Sequence, residues 1–278
     1  MSRHYPEKRI VITGAGSGLG RALALRFAND GWRVAIADLN EARMQETLAL
    51  VQQAGGSGFT QLCNVCSETD FTTLADRVRQ EWGGADVLVN NAGIATGGSV
   101  VESRYEDWQR VLDINLMGVV RGCKTFVPMM LAQKAGHVVN IASFAGIASP
   151  PNMASYNVAK AGVISLSESL RAETIDEGVD VSVACPSFFK TNLTESISAP
   201  GDAWMKKFTE VVMERSKVKA EDVADDIFRA VHEGRFMVIT HDDARMQWRL
   251  KRAAPEFFYK MVRDKLKQRM ALLKAGNK

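Results

Sequence analysis

Short β-branched runs alternate with longer amphipathic stretches along most of this chain. The apolar runs predict strands near residues 9–13, 33–37, 58–62, 86–90, 137–142, 179–185 and 235–240. Between them, apolar residues at helical spacing predict helices over most of 18–30, 41–54, 68–82, 104–134, 154–177 and 220–233. Such alternation implies an α/β fold: a Rossmann-like, doubly wound parallel sheet of seven strands, with helices on both faces and right-handed crossovers. In a sheet of this kind ligands bind outside the carboxyl ends of the strands.

At 278 residues, with 46% hydrophobic and 24% charged, the chain can bury a substantial core. No Pro/Gly/Ser linker or repeat divides it, so one domain is expected over 1–243, with a helical extension over 244–278. The N-terminal segment is charged, and no run of eighteen apolar residues occurs, so a cytoplasmic protein is expected. Cys63-Asn-Val-Cys66 has redox-motif spacing but ends a strand rather than opening a helix, which argues against redox or metal chemistry. His4, His137, His232 and His241 show no ligand spacing, and surface or strand-end packing is the default for each. No metal site is supported.

The first strand, Ile10 to Ile12, runs into Thr13-Gly14-Ala15-Gly16-Ser17-Gly18-Leu19-Gly20 and then a helical stretch. Strand, glycine turn and helix N-terminus together make an anion-binding device, because bare backbone can approach a pyrophosphate and unpaired N–H groups face its charge. Eighteen residues past Gly20, a second strand ends in Asp38. A carboxylate there can accept from both ribose hydroxyls and would repel a 2′-phosphate, and neither Ser17 nor Leu39 offers a compensating cation. NAD(H) is therefore expected over NADP(H), which stays open. The alternative use of Asp38 is as a cap for the helix starting near Glu41.

Tyr156 and Lys160 stand four residues apart on a predicted helix, with Ser143 thirteen residues before the tyrosine. A phenol with a pKa of about 10 is a poor acid or base at neutral pH unless a neighbouring cation stabilises the phenolate. Ser143 can donate a hydrogen bond to a substrate oxygen held against that phenol. Such a set suits proton transfer at a carbon-bound oxygen.

With these motifs in this order, the chain resembles the short-chain dehydrogenase/reductase family, in its single-domain branch, from about Lys8 to Thr240. Gly14, Gly18 and Gly20 match the family's cofactor turn, and Asn90-Asn91-Ala92-Gly93 its element beside the adenosine. Asn115 matches its relay asparagine, Ser143, Tyr156 and Lys160 its catalytic set, and Pro186 and Thr191 the stretch bordering the nicotinamide. The resemblance implies that Tyr156 is the general acid or base and that Lys160 lowers its pKa and binds the nicotinamide ribose. It likewise implies that Ser143 polarises the substrate oxygen and that Asn115 positions a relay water. Cofactor contacts are expected from Gly14, Ser17, Gly18, Leu19, Gly20, Asp38, Leu39, Asn64, Val65, Asn91, Ala92, Gly93, Tyr156, Lys160, Pro186 and Thr191. Two departures stand out: Asn64 where the family has Asp, and Ser187 where it has Gly after the proline. Neither removes a reacting group.

The implied activity is NAD(H)-dependent interconversion of a secondary alcohol and a ketone, or of a primary alcohol and an aldehyde. An NADP(H)-preferring carbonyl reductase and a non-catalytic scaffold are the alternatives. The segment 188–216, where the family keeps its substrate lid, offers Phe188, Phe189, Leu193, Ile197, Trp204, Met205, Phe208 and Val212. Phe188, Phe189, Leu193 and Trp204, with Ser143 and Tyr156, are the expected substrate contacts, and their apolar character favours a lipophilic substrate over a sugar or charged acid. The resemblance further implies a homodimer or homotetramer through the helices at 104–134 and 154–177.

From Ala244 onward eleven cations face two acids, a local charge of +9, so the preceding residues carry −6. After Pro255, the apolar positions Phe258, Val262, Leu266, Met270 and Leu273 share one helical face. This basic amphipathic helix, over 255–275, could lie on a membrane surface, pack on a sister subunit or over the active site, or end as a solvated tail. Nucleic-acid binding is not expected, since no stacking or base-reading residues are interleaved with the cations.

Overall fold

The computed structural model describes residues 5–189 and 203–275, except for the side chains of 203–208, 266 and 269–275. Its centre is a seven-stranded parallel sheet in the order β3-β2-β1-β4-β5-β6-β7. The strands are β1 (Arg9–Thr13), β2 (Arg33–Asp38), β3 (Ser57–Leu62), β4 (Val87–Asn90), β5 (Gly136–Ile141), β6 (Val179–Ala184) and β7 (Met237–Val238). Helices α1 (Gly18–Ala28), α2 (Glu41–Gln53) and α3 (Glu68–Trp82) supply the crossovers between the first four strands. Strands β4, β5 and β6 are buried at every residue, as expected where helices cover both faces, whereas edge strand β3 is only half covered. The last strand is shorter than the predicted 235–240, with Met237 and Val238 alone pairing with β6.

The predicted helix over 104–134 is three pieces: α4 (Tyr105–Leu112), a π-helical segment (Asp113–Met117) and α5 (Gly118–Gln133). The wider π turn holds Asn115, wholly buried, toward the body. A short helix, α6 (Phe144–Ala148), which the sequence pattern did not reveal, follows β5, and α7 (Ala154–Thr174) follows it. Then come α8 (Ala203–Glu214) within the expected lid, α9 (Ala220–Glu233), and the C-terminal pair α10 (Asp242–Ala253) and α11 (Pro255–Ala275).

Two apolar cores flank the sheet. One joins α1, α9 and their strands around Phe27, Trp32, Ile227 and Phe228. The other joins α3, α5 and α7 around Phe71, Leu74, Phe126 and Val163, and it includes Phe258 of α11. The extension is thus part of the body's packing, with Phe258 fully buried and Lys251 Nζ donating to the Ile147 carbonyl of α6 at 2.5 Å. This overturns the solvated-tail expectation and turns Phe258 and Val262 toward protein; the side chains of Leu266, Met270 and Leu273 lie outside the described residues.

His137 is wholly buried rather than at a surface: its Nδ1 lies 3.2 Å from the Tyr5 hydroxyl and its Nε2 2.8 Å from the Ser182 hydroxyl. Nearby, Arg9 grips Asp86 through two nitrogens, at 2.8 and 3.1 Å. Both arrangements stand at the amino ends of β1 and β5, away from the carboxyl edge where ligands bind. No helix among the described residues is long and apolar enough to cross a membrane. The four cysteines are unpaired.

Candidate active site

At the carboxyl end of β1 the chain turns through Gly14 (φ 65°) and Gly18 (φ 52°) into α1. A Cβ on Gly14 would stand 2.8 Å from the Ala92 Cα, so the close passage of turn and β4 end needs bare backbone as well as a left-handed φ. Asn91 locks this junction. Its side-chain amide donates to the Thr13 and Gly14 carbonyls at 2.9 and 3.1 Å, and its N–H donates to the Thr13 hydroxyl at 3.0 Å. Ser17, Gly18 and Leu19 line a cavity at the start of α1, where first-turn N–H groups favour an anion. Gly20 does not line it. A Cβ there would sit 2.2 Å from the Gly14 carbonyl oxygen, so bare backbone at Gly20 lets the helix pack on the turn.

Asp38 ends β2 on the same cavity, accepting from the Gly16 N–H at 2.9 Å and the Asn40 N–H at 3.1 Å. The cap of α2 is Asn40, whose side chain accepts from the Arg43 N–H at 3.0 Å, so Asp38 is not the cap. Leu39 lies exposed there, and Asn64 and Val65, after β3, join the wall. Arg43 also reaches this end, a cation that sequence spacing missed because it stands one turn into the next helix.

The cavity, about 1450 Å³, continues past Asn91, Ala92 and Gly93 to Ser143, Tyr156, Lys160 and Pro186. It exceeds the roughly 300–1,000 Å³ of ordinary single-ligand pockets, and its bare-backbone cradle with a terminal carboxylate fits a dinucleotide beside a small substrate. Ser143 caps α6, its hydroxyl accepting from the Ala145 N–H at 3.1 Å, and lines the cavity with Tyr156. Burial pushes the Tyr156 phenol above its ordinary range, while the Ser143 hydrogen bond pulls it down. Lys160 Nζ donates to the Ile141 carbonyl at 2.8 Å and stands 5.8 Å from the Tyr156 ring centre. Burial lowers its pKa to about 8, against a smaller opposing effect of Cys185. The expected lowering of the Tyr156 pKa by Lys160 is therefore not the dominant influence here; burial is.

Asn115 does not face the cavity. Its Oδ1 accepts from the Ile94 N–H and its Nδ2 donates to the Ile94 carbonyl, both at 2.8 Å, so its amide holds the backbone after β4. A Cβ on Gly93 would stand 3.2 Å from Asn115 Oδ1 and 3.5 Å from Lys160 Nζ, so Asn115 stands directly behind the stretch of wall that Gly93 and Lys160 form.

At the substrate end Phe188 lines the wall, and Phe189 does so from within the apolar core beside α9. Thr191 and Leu193 lie outside the described residues, as does the side chain of Trp204. Val212 and Met213 of α8 reach the cavity, and so do four residues that sequence reasoning did not select: His241, Gln247, Val262 and Lys265. His241 follows β7, at the carboxyl edge where the other motifs fall, and that position was the available signal. Its Nδ1 accepts from the Ser187 N–H at 3.3 Å and lies 2.8 Å from the Thr240 hydroxyl, while Nε2 lies 3.2 Å from the Phe188 carbonyl. An acceptor at Nδ1 and a donor at Nε2 select the neutral ring. Burial lowers its pKa, against the opposing Phe188 carbonyl and Asp243, Asp226 and Asp242. Ser187, the departure noted above, thus ties the nicotinamide-side loop to the C-terminal arm through its backbone. Among the described residues no group of His, Cys, Asp and Glu is arranged to hold a metal.

The family model described as short chain dehydrogenase matches residues 8–201. "Probable oxidoreductase EphD" of Mycobacterium tuberculosis is 36% identical over 201 residues, 71% of this chain, which spans only about 34% of that relative's length. The CLA biosynthesis dehydrogenase/reductase of Lactiplantibacillus plantarum is 30% identical over 261 residues, covering 87% of this chain and 90% of its own. A short chain dehydrogenase/reductase from Burkholderia phymatum, crystallised with NAD, superimposes with a TM-score of 0.85 at 34% identity, covering 90% of this chain and 94% of that one.

Proposed function

The chain belongs to the short-chain dehydrogenase family, whose enzymes act on CH–OH or C=O groups with a nicotinamide cofactor, and we propose that it interconverts a secondary alcohol and a ketone of a lipophilic substrate with NAD(H). The observation that carries this is Ser143, Tyr156 and Lys160 set together on the wall of a cavity that also takes in the glycine turn. The bound nicotinamide would supply or accept the hydride. Tyr156 gives a proton to the carbonyl oxygen in reduction and removes it from the hydroxyl in oxidation, while Ser143 holds that oxygen in place. Lys160 binds the ribose hydroxyls and passes protons outward. Asn115 keeps the Gly93–Ile94 backbone fixed around Lys160.

Asp38 supports NAD(H), since its carboxylate would face a 2′-phosphate. Arg43, on the same wall, is the one observation favouring NADP(H). The substrate end supports a lipophilic body through Phe144, Phe188, Met213 and Val262. Exposed Met117 and Val158, on the helices expected to pair copies, support a homo-oligomer. A steady-state screen of secondary alcohols and ketones, apolar against polyol, each with NAD(H) and NADP(H), tests the proposal. The expected result is higher kcat/KM for apolar substrates with NAD(H); better turnover of polyols, or of NADP(H), would overturn the corresponding part.

A further inference from the structure

We infer that Lys265 is an anion anchor at the outer end of the substrate cavity, so that the substrate carries a carboxylate at a distance from its reacting carbon. This rests on the proposed placement of the reacting oxygen at Ser143 and Tyr156. Phe258, Val262 and Lys265 follow one another at spacings of four and three, one face of α11. Phe258 is fully buried in the core, Val262 is half-buried and lines the cavity, and Lys265 lines it while reaching solvent. One helix face therefore passes from packed core through apolar wall to an ammonium at the rim.

Some cations of the arm have partners, whereas the exposed Arg249, Lys260 and Lys267 make no ion pair or hydrogen bond among the described residues and do not line the cavity. Arg263 donates to Asp264 at 3.0 Å, Lys251 to the Ile147 carbonyl at 2.5 Å, and Arg252 stands 5.4 Å above the Trp248 ring. Lys265 makes no ion pair or hydrogen bond among the described residues. Asp243 shares this wall, but it is not paired with Lys265, and its charge falls on His241. Arg215 and Lys217 also touch the cavity, from the segment between α8 and α9 rather than from the C-terminal arm. An ammonium beside an apolar wall with no internal counter-charge favours a ligand that is apolar along its body and anionic at its end. The expectation of an uncharged substrate drawn from the lid then holds for the body of the ligand and not for its far end.

The test compares medium- and long-chain hydroxyalkanoates with their methyl esters as substrates for the full-length enzyme with NAD. Lys265→Ala, Lys265→Glu and Lys265→Arg variants are run in parallel. In the wild type the carboxylate is expected to show a KM about tenfold below that of its ester, with similar kcat, the equivalent of one charge-assisted contact. The Ala variant should erase that ratio, the Glu variant invert it and the Arg variant retain it, with turnover of the ester unchanged in all. Because Lys265 is exposed, the preference should also shrink as salt is raised from low ionic strength. An ester turned over as well as its acid, or a ratio indifferent to residue 265, would overturn the anchor and leave the alcohol–ketone assignment intact. No turnover of either series by the wild type, with activity only on unrelated compounds, would overturn both.

Discussion

Lys160 points its ammonium at the Ile141 carbonyl, 2.8 Å away, although Tyr156 stands one helical turn before it. A cation with a carbonyl but no carboxylate partner is costly to bury, and its pKa falls to about 8 accordingly. The lysine is thus kept at the expense of stability, which is the mark of a functional group rather than a structural one.

Replacing it should separate the two roles. Lys160→Met is expected to abolish turnover while leaving the melting temperature equal or higher. In the wild type the folded pKa is about 8 against the 10.5 of an ordinary lysine, so the unfolded chain binds more protons between those values. Wild-type stability should therefore rise with pH across that window relative to the Met variant, by about 3 kcal/mol at most. Denaturant unfolding of both proteins from pH 7 to 10 reads this directly; parallel curves would show that the buried ammonium has no such cost.

Tyr156→Phe removes the group proposed to move a proton at the substrate oxygen beside Ser143. We predict a loss of about 10³-fold or more in kcat, with NAD affinity within a few-fold of wild type. Single-turnover kinetics and calorimetric titration of NAD are sufficient. Near-normal turnover would take Tyr156 out of the mechanism.

Asp38 accepts from the Gly16 N–H, so it both shapes the glycine turn and faces the expected ribose. Asp38→Asn should retain much of the turn while removing the charge, raising kcat/KM with NADP relative to NAD by at least tenfold, helped by Arg43. Retained NAD preference in this variant would mean that cavity shape, not charge, selects the cofactor.

His241 joins the Pro186–Phe189 loop to the C-terminal arm only as a neutral ring, because Nδ1 must accept from the Ser187 N–H. Its folded pKa lies below 6.5, so its contribution to stability is complete above about pH 6.5 and is lost as pH falls through the lowered folded value. Thermal unfolding between pH 5 and 8 should show this acid-side loss, and His241→Asn, which can still accept and donate, should flatten it. An unchanged pH profile in the Asn variant would assign the acid sensitivity to other groups.

Phe258 should behave as a core residue of the main body. Phe258→Ala is expected to destabilise the protein by about 3–5 kcal/mol, the usual cost of emptying a buried aromatic site. Truncation before Ala244 should cost more and uncover the face of α6 on which α10 packs. Denaturation midpoints decide it: a loss under 1 kcal/mol would mean the arm is only loosely applied.

Much of the site is legible in the chain because its chemistry lies in local runs. The turn from Gly14 to Leu19, Asp38 at a strand end and the Tyr156–Lys160 spacing all depend on neighbours close in sequence, and strands β1 and β4 announce themselves by the apolar runs Ile10–Ile12 and Val87–Val89. Gly20 and Asn115 show the limit of motif reading. Both are motif residues, yet one packs helix against turn and the other clamps Ile94. Spacing cannot distinguish a residue that touches a ligand from one that holds the residue that does.

The sequence by itself determined the alternating strands and helices, the glycine turn after β1 and the proposed set of reacting side chains, because periodicity and short spacings are local properties. Tertiary structure alone decided which way Lys160 points, that His241 is neutral and bound to the loop after β6, and that α11 folds back to lay Val262 and Lys265 on the cavity. Those outcomes depend on burial and on hydrogen bonds between residues far apart in the chain, such as Ser187 with His241 and Lys251 with Ile147, and no local pattern encodes them.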